Sequence, residues 1–255
     1  MTVGVELLGN GTVLVLTLDR PSKRNAVDHQ TLLELLAVQA TLTRLDDDHG
    51  PGSMATVRAV VITGTPPAFS AGADLAGAEQ GQFTADLSSV LRGFGDLSVP
   101  VIAAIDGPAL GAGAQLAVAA DLRVATPQSL IGVPAAKLGL VVDHWTVRRF
   151  ADEFSPPVAR AMLLGAETYT AERLHALGAV HRLGTLDAAL EWASHLASLA
   201  PLTISGHKIA LEHRSAEPDV VDSVEAARAT AWASTDAVEG RTAFLEKRPP
   251  RFTGG

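Results

Sequence analysis

The stretch DGPALGAGAQLAVAADLRVA, residues 106–125, sets a glycine-rich corner directly before a helix start. The first turn of a helix leaves its N–H groups without internal partners and carries the positive end of the peptide dipole. Such a corner can therefore hold a polar ligand on backbone alone. One turn further in stands Gln115, an amide that hydrogen-bonds but neither takes nor gives a proton at useful pH. The arrangement reads as a binding site without its acid. A second chemical candidate is Asp143 in GLVVDHWTVRR, residues 139–149. Beside Val141 and Val142 its pKa can be raised, which would suit a proton shuttle. The competing reading makes Asp143 the cap of the helix HWTVRRF, or the partner of Arg148 or Arg149.

Other chemistries are poorly supplied. GAGAQL is not a dinucleotide-binding fingerprint, because the third glycine of that pattern falls on Leu116. Ser70 lacks the GxSxG elbow of a serine hydrolase. The eight histidines are scattered with no HExxH or similar pair, so no metal site is expected. There is no cysteine, which removes thiol nucleophiles, disulfides and cysteine metal sites.

The elements that must position these residues follow from the hydrophobic pattern. TVGVELLGNGTVLVLTLDRP predicts a β-hairpin turning at Gly9-Asn10-Gly11, with Val13, Val15 and Thr17 alternating with Leu14, Leu16 and Leu18. Asp28 is placed to cap the helix HQTLLELLAVQATLTRL, whose Leu32, Leu35, Leu36 and Leu42 have helical spacing, and DDDHGPGS reads as the loop after it. VRAVVITG is a buried-strand run, and VPVIAAIDG, PALGAGAQLAVAA and DLRVAT repeat strand, glycine turn, helix and strand. That alternation predicts an α/β core. After Phe150 the strand signal fades and SPPVARAMLLG, TAERLHALG, TLDAALEWASHLASLA and 216–247 read as helices. In the third of these Ala189, Trp192, Ala193, Leu196 and Leu199 share a face, and Pro201 ends it. The expected division is an α/β body over 1–190 and a helical region over 191–255 that packs on the body or on another subunit.

With 255 residues the chain is long enough for a substantial core. A formal charge of −8 opposes general nucleic-acid binding, which needs a basic surface. No apolar run approaches the roughly 20 residues of a membrane span, and the N-terminus carries no secretory pattern. The expectation is a cytoplasmic protein.

Five segments together resemble the enoyl-CoA hydratase/isomerase (crotonase) superfamily. They are LDRPSKRNAVD, AFSAGADL, PVIAAIDGPALGAGAQLAVAADLRVA, LGAETYTAERLHALGAVHRL and FLEKRPPRF, in family order and spacing. The resemblance implies a spiral of ββα repeats with a helical C-terminal trimerisation region, assembling as a homotrimer or a dimer of trimers. It implies a coenzyme A thioester as ligand, with no permanently bound cofactor, in fatty acid and lipid metabolism. The thioester oxygen would sit between two backbone N–H groups, which map to Ala73 and Ala112. Lys23, Arg24, Ala26, Ala71, Asp74, Leu75, Gly111, Trp145, Phe244 and Lys247 map to positions that contact the ligand. Trp145 stands where active hydratases have a small, glycine-rich turn and either lines the acyl end of the pocket or packs in the core, while Lys247 would reach a neighbouring subunit's coenzyme A phosphate.

At two positions the sequence departs from that pattern. Active hydratases carry glutamates where this chain has Gln115 and Ala135. Each acid–base group is worth about 10²–10⁴-fold, so the chain is expected to bind acyl- or enoyl-CoA with weak or absent hydratase activity. The alternative is an enoyl- or dienoyl-CoA isomerase or lyase that uses Asp143, which aligns with an aspartate of dienoyl-CoA isomerases in the superfamily.

Overall fold

The computed structural model describes residues 1–49, 57–74, 80–212 and 218–254. The chain opens with β1 (Val3–Leu8) and β2 (Val13–Leu18), followed by α1 (His29–His49) and β3 (Ala59–Gly64). Next come α2 (Gln80–Asp96), β4 (Val101–Ile105), β5 (Ala109–Leu110), α3 (Ala112–Ala119), β6 (Leu122–Ala125) and β7 (Leu130–Gly132). The rest comprises α4 (His144–Phe154), α5 (Pro156–Gly165), β8 (Thr168–Thr170), α6 (Ala171–Ala176), β9 (Arg182–Leu183) and α7 (Leu186–Ala197). Three helices close it: α8 (Pro201–Glu212), α9 (Pro218–Ala233) and α10 (Thr235–Glu246).

The main sheet has the order β1-β2-β3-β4-β6-β9, antiparallel at the opening hairpin and parallel beyond it. Its central strands are apolar on both faces because helices cover both. Val60 and Ile62 of β3 join the layer of Leu32, Leu35, Val90 and Leu91 from α1 and α2. Ala59 and Val61 point the other way, onto Ala189 and Ala193 of α7. A second sheet, β5-β7-β8, lies at the carboxyl ends of the main strands and frames the glycine corner.

The α/β reading, the hairpin and the Asp28 cap agree with this fold, the last through a 2.8 Å bond from the Thr31 N–H to Asp28 Oδ1. Four expectations change. DDDH belongs to α1, which runs to His49, and 50–56 lie outside the described residues. Strands do occur after Phe150, since β8 pairs with β7 and β9 with β6. Pro201 does not end α7, which stops at Ala197; it begins α8, a first-turn place where its missing N–H costs nothing. The boundary at 190 falls inside α7, which packs with the α/β body. Of the later helices, α8 is tied to that body by Lys208, whose buried ammonium donates to Phe94 O, Val99 O and Asp121 Oδ2 at 2.8, 2.9 and 2.8 Å.

Candidate functional site

Two small-residue turns are strapped together across the carboxyl end of the sheet. The Ser70 N–H donates to Pro108 O at 3.0 Å and the Leu110 N–H to Ser70 O at 2.9 Å, a parallel bridge between the first turn and β5. On its other side the first turn is tied to residues 24–27. The Ala71 N–H donates to Arg24 O, the Val27 N–H to Gly72 O, and the Asp74 N–H to Val27 O, at 2.9, 2.7 and 2.8 Å. This last pair of bonds flanks Ala73, so Val27 uses the groups on either side of it and the Ala73 N–H is directed away from the bridge. Ala112 is the first residue of α3, where the helix itself offers its N–H no acceptor.

Close approach explains the glycines. Gly72 has φ +112°, and a Cβ there would stand 3.0 Å from Leu110 O and 3.8 Å from Ala112 N. A Cβ on Gly113 would lie 2.5 Å from Ser70 O, well inside van der Waals contact. The residues carrying the two N–H groups thus face each other across backbone that no larger residue would allow to meet.

Around this cradle the predicted residues fall unevenly. Asp74 is in an ion pair with Arg20 at 2.9 Å, and the same guanidinium reaches Asp28 at 3.2 Å and donates to Ala26 O. Arg20, which the sequence reading did not single out, therefore locks the early turn to the first motif. Lys23 and Arg24 are exposed beside that lock, Ala26 is half-buried and Ala71 exposed. Gly111 adopts φ +52° and donates its N–H to Gly132 O at 3.0 Å. Leu75 lies outside the described residues. Phe244 and Lys247 sit at the end of α10, with Phe244 83% exposed; the single chain does not bring them to the cradle through any described contact. A cavity of about 790 Å³ near them is lined by Asp236, Glu239 and Arg248 among others, and includes none of the cradle residues.

Of the two positions where the resemblance expects glutamates, Gln115 is 8% exposed and Ala135 half-buried. The Thr146 hydroxyl donates to Gln115 Oε1 at 3.3 Å. Thr146 in turn gives its backbone N–H to Asp143 Oδ1 at 2.7 Å, so Asp143 caps α4. Burial pushes the Asp143 carboxyl upward, but the Thr146 N–H, the Ser88 hydroxyl and the Arg92 charge outweigh it and hold the group below its ordinary value. The expected rise is corrected, and so is the expected pairing: Arg148 faces Asp152 and Arg149 binds Glu212. Trp145 is half-buried against the main core, with the Arg149 guanidinium 6.0 Å from its ring.

The cap gives a measurable consequence. Asp143→Ala should cost about 1 kcal/mol near neutral pH, read as a shift in urea midpoint. A carboxyl lowered on folding stabilises above its unfolded pKa of about 3.9 and stops doing so as pH falls through the lower folded value. The gap between wild type and variant should accordingly close in acid; a gap that is constant with pH would contradict the cap's ionisation.

Comparison with known proteins assigns the chain to a family. The family model for enoyl-CoA hydratase/isomerase matches residues 9–255. The chain is 40% identical over 246 residues to "Probable enoyl-CoA hydratase echA6" of Mycobacterium tuberculosis, covering 95% of this chain and 96% of that one. It is 34% identical over 272 residues to the carnitinyl-CoA dehydratase of Salmonella arizonae, covering both completely. Among solved structures, the enoyl-CoA hydratase of Bacillus anthracis superposes with a TM-score of 0.88 over the whole of both chains at 24% identity, which speaks to the fold. With the family model matched over residues 9–255 and sequence kinship along nearly its full length, the chain belongs to the enoyl-CoA hydratase/isomerase family.

Proposed function

We propose that the protein binds acyl- or enoyl-CoA thioesters and hydrates them weakly or not at all. One observation supports this reading: the turns bearing Ala73 and Ala112 are strapped together by backbone bonds, while an amide, Gln115, and a methyl group, Ala135, occupy the two positions where the resemblance expects glutamates. Two aligned N–H groups stabilise charge developing on a thioester oxygen. Neither flanking side chain can activate water or deliver a proton. The relatives named for hydration and dehydration of CoA esters support the ligand class.

On this reading Lys23 and Arg24 offer charge to the coenzyme A phosphates, and Ala26, Ala71, Asp74, Leu75 and Gly111 form the cradle's wall. Trp145 closes the acyl end. Phe244 and Lys247 act from a neighbouring copy in a trimer or hexamer, which fits the exposure of Trp232, Phe244 and Leu245 at 68%, 83% and 79%. No helix among the described residues is long and apolar enough to cross a membrane, and a cytoplasmic role in lipid metabolism suits that. The isomerase alternative needs Asp143 to exchange protons, whereas its cap and its lowered pKa hold it ionised and engaged.

Calorimetric titration with crotonyl-CoA and longer acyl-CoA esters, together with a hydration assay on the enoyl chromophore, tests the proposal. Binding without appreciable turnover is the expected outcome, and Trp145→Ala should alter the dependence of affinity on chain length. Brisk hydration would overturn the proposal, as would isomerisation abolished by Asp143→Asn.

A further inference from the structure

Ala73 is held by a parallel bridge to Val27, made of the Val27 N–H to Gly72 O bond at 2.7 Å and the Asp74 N–H to Val27 O bond at 2.8 Å. The Arg20 guanidinium brackets that bridge from both segments. It donates to Ala26 O and lies 3.2 Å from Asp28, the two neighbours of Val27, and it pairs at 2.9 Å with Asp74, the neighbour of Ala73. A planar fork of five donors suits three acceptors on two segments, which a point charge such as lysine does not match. Arg20 is placed in turn by Asn25, which is almost fully buried. Asn25 Oδ1 accepts from the Arg20 N–H at 2.9 Å, and its Nδ2 donates to Thr65 O and Ala68 O at 2.7 and 2.6 Å. The clamp therefore rests on the chain just before the first turn, and it closes on the chain just after Ala73.

We infer that Arg20 is a positioning residue for the Ala73 N–H, and that its clamp on Ala26, Asp28 and Asp74 sets how strongly the protein distinguishes a thioester from the same ligand without its carbonyl oxygen. The inference rests on the acyl-CoA reading above, with its donors at Ala73 and Ala112, and deepens it. The straps between Ser70, Pro108 and Leu110 do not involve Arg20, so cutting the clamp leaves the two turns joined. Ala73 lies three residues beyond Ser70, and there the tether comes from Val27 and the clamp. A hydrogen bond weakens steeply as its angle departs from linear, so a small turn of this peptide lowers the donor's strength without unfolding the site.

The test is calorimetric titration of the full-length protein with butyryl-CoA and with S-butyl-CoA, the thioether that has a methylene in place of the carbonyl. The parent should bind the thioester about tenfold more tightly, the scale of one neutral hydrogen bond. In Arg20→Gln and in Asp74→Ala the advantage should shrink to about twofold or less, while the thioether binds as it does to the parent. The double variant should lose no more than either single one, because both cut the same clamp. Arg20→Lys, which keeps a charge opposite Asp74, should recover part of the advantage. Urea midpoints identify the conditions under which each variant is folded. An advantage that survives in both single variants overturns this inference alone. So does a parallel loss of both ligands in a folded variant, which would make the clamp a general support of the pocket. Equal affinity of the parent for the two ligands overturns the cradle, and failure of both to bind overturns the acyl-CoA reading itself.

Discussion

Returning both carboxylates, by Gln115→Glu together with Ala135→Glu, is expected to raise the rate of crotonyl-CoA hydration by at least about 10²-fold, the size of a single acid–base contribution. The proposed cradle would need no rebuilding: the straps from Ser70 to Pro108 and from Leu110 to Ser70 hold the two turns in place without reference to either side chain. A glutamate at 115 would enter a site that is 8% exposed and close to the ionised Asp143. Burial and a neighbouring negative charge both raise a carboxyl pKa, which moves the group toward the range where it can take and return a proton near neutrality. The Thr146 hydroxyl that now reaches Gln115 Oε1 would orient the new carboxylate. At 135 the half-buried methyl sits in a short 3-10 turn, Pro134–Leu138, with solvent on one side, so a longer side chain has room. The gains should not simply add, because the two groups handle one proton inventory. The reading is the loss of enoyl thioester absorbance at saturating substrate, with each single variant for comparison. If the double variant binds crotonyl-CoA as the parent does and still hydrates it no faster, then the acids are not what the parent lacks.

Much of this arrangement was legible in the sequence, and the reasons are specific. The strands announced themselves because Val60 and Ile62 face one helical layer while Ala59 and Val61 face another, leaving an uninterrupted apolar run. Gly72 and Gly113 marked the places where two backbones meet. Asp28 and Asp143 both stand three residues before a threonine and both cap a helix; the repeated Asp-x-x-Thr spacing is the signal by which Thr146 could have been found. What the sequence hid depends on distant partners. Arg20 and Asp74 are far apart in the chain and meet only once the first turn is strapped down. The acidic end of α1 is unfavourable to a helix C-terminus, yet the helix persists there, with the Ser98 hydroxyl donating to Asp46. The strands β8 and β9 are two and three residues long in reverse order, too short for any periodicity to register. Helix α2 carries Gly93 and Gly95, poor helix formers that hid it; a Cβ on either would press within 2.6 and 2.7 Å of Gln39 Oε1 and Glu212 Oε2.

In that revived double variant, adding Ala112→Pro should lower kcat by about 10²–10³-fold, the usual cost of losing one donor to a developing oxyanion. Proline removes the N–H and little else at this place. Ala112 is the first residue of α3, where the helix does not use the N–H and where proline's fixed φ is already helical. The residue before a proline is confined to extended backbone. Gly111 has φ 52° and ψ −118°, the mirror image of that region, which glycine alone occupies freely. The ring does intrude where the N–H pointed, so KM should rise as well, and the diagnostic quantity is kcat measured at saturation. In the parent, which on the proposed function forms no oxyanion to speak of, the same substitution should weaken acyl-CoA binding by no more than about tenfold, the worth of one neutral hydrogen bond. Ala112→Ser keeps the N–H and serves as the control for changed bulk. The contrast between a large kinetic loss and a small binding loss is what separates a transition-state donor from a wall of the pocket. Equal losses in both would make Ala112 part of the wall, and the thioester oxygen would have to be held elsewhere.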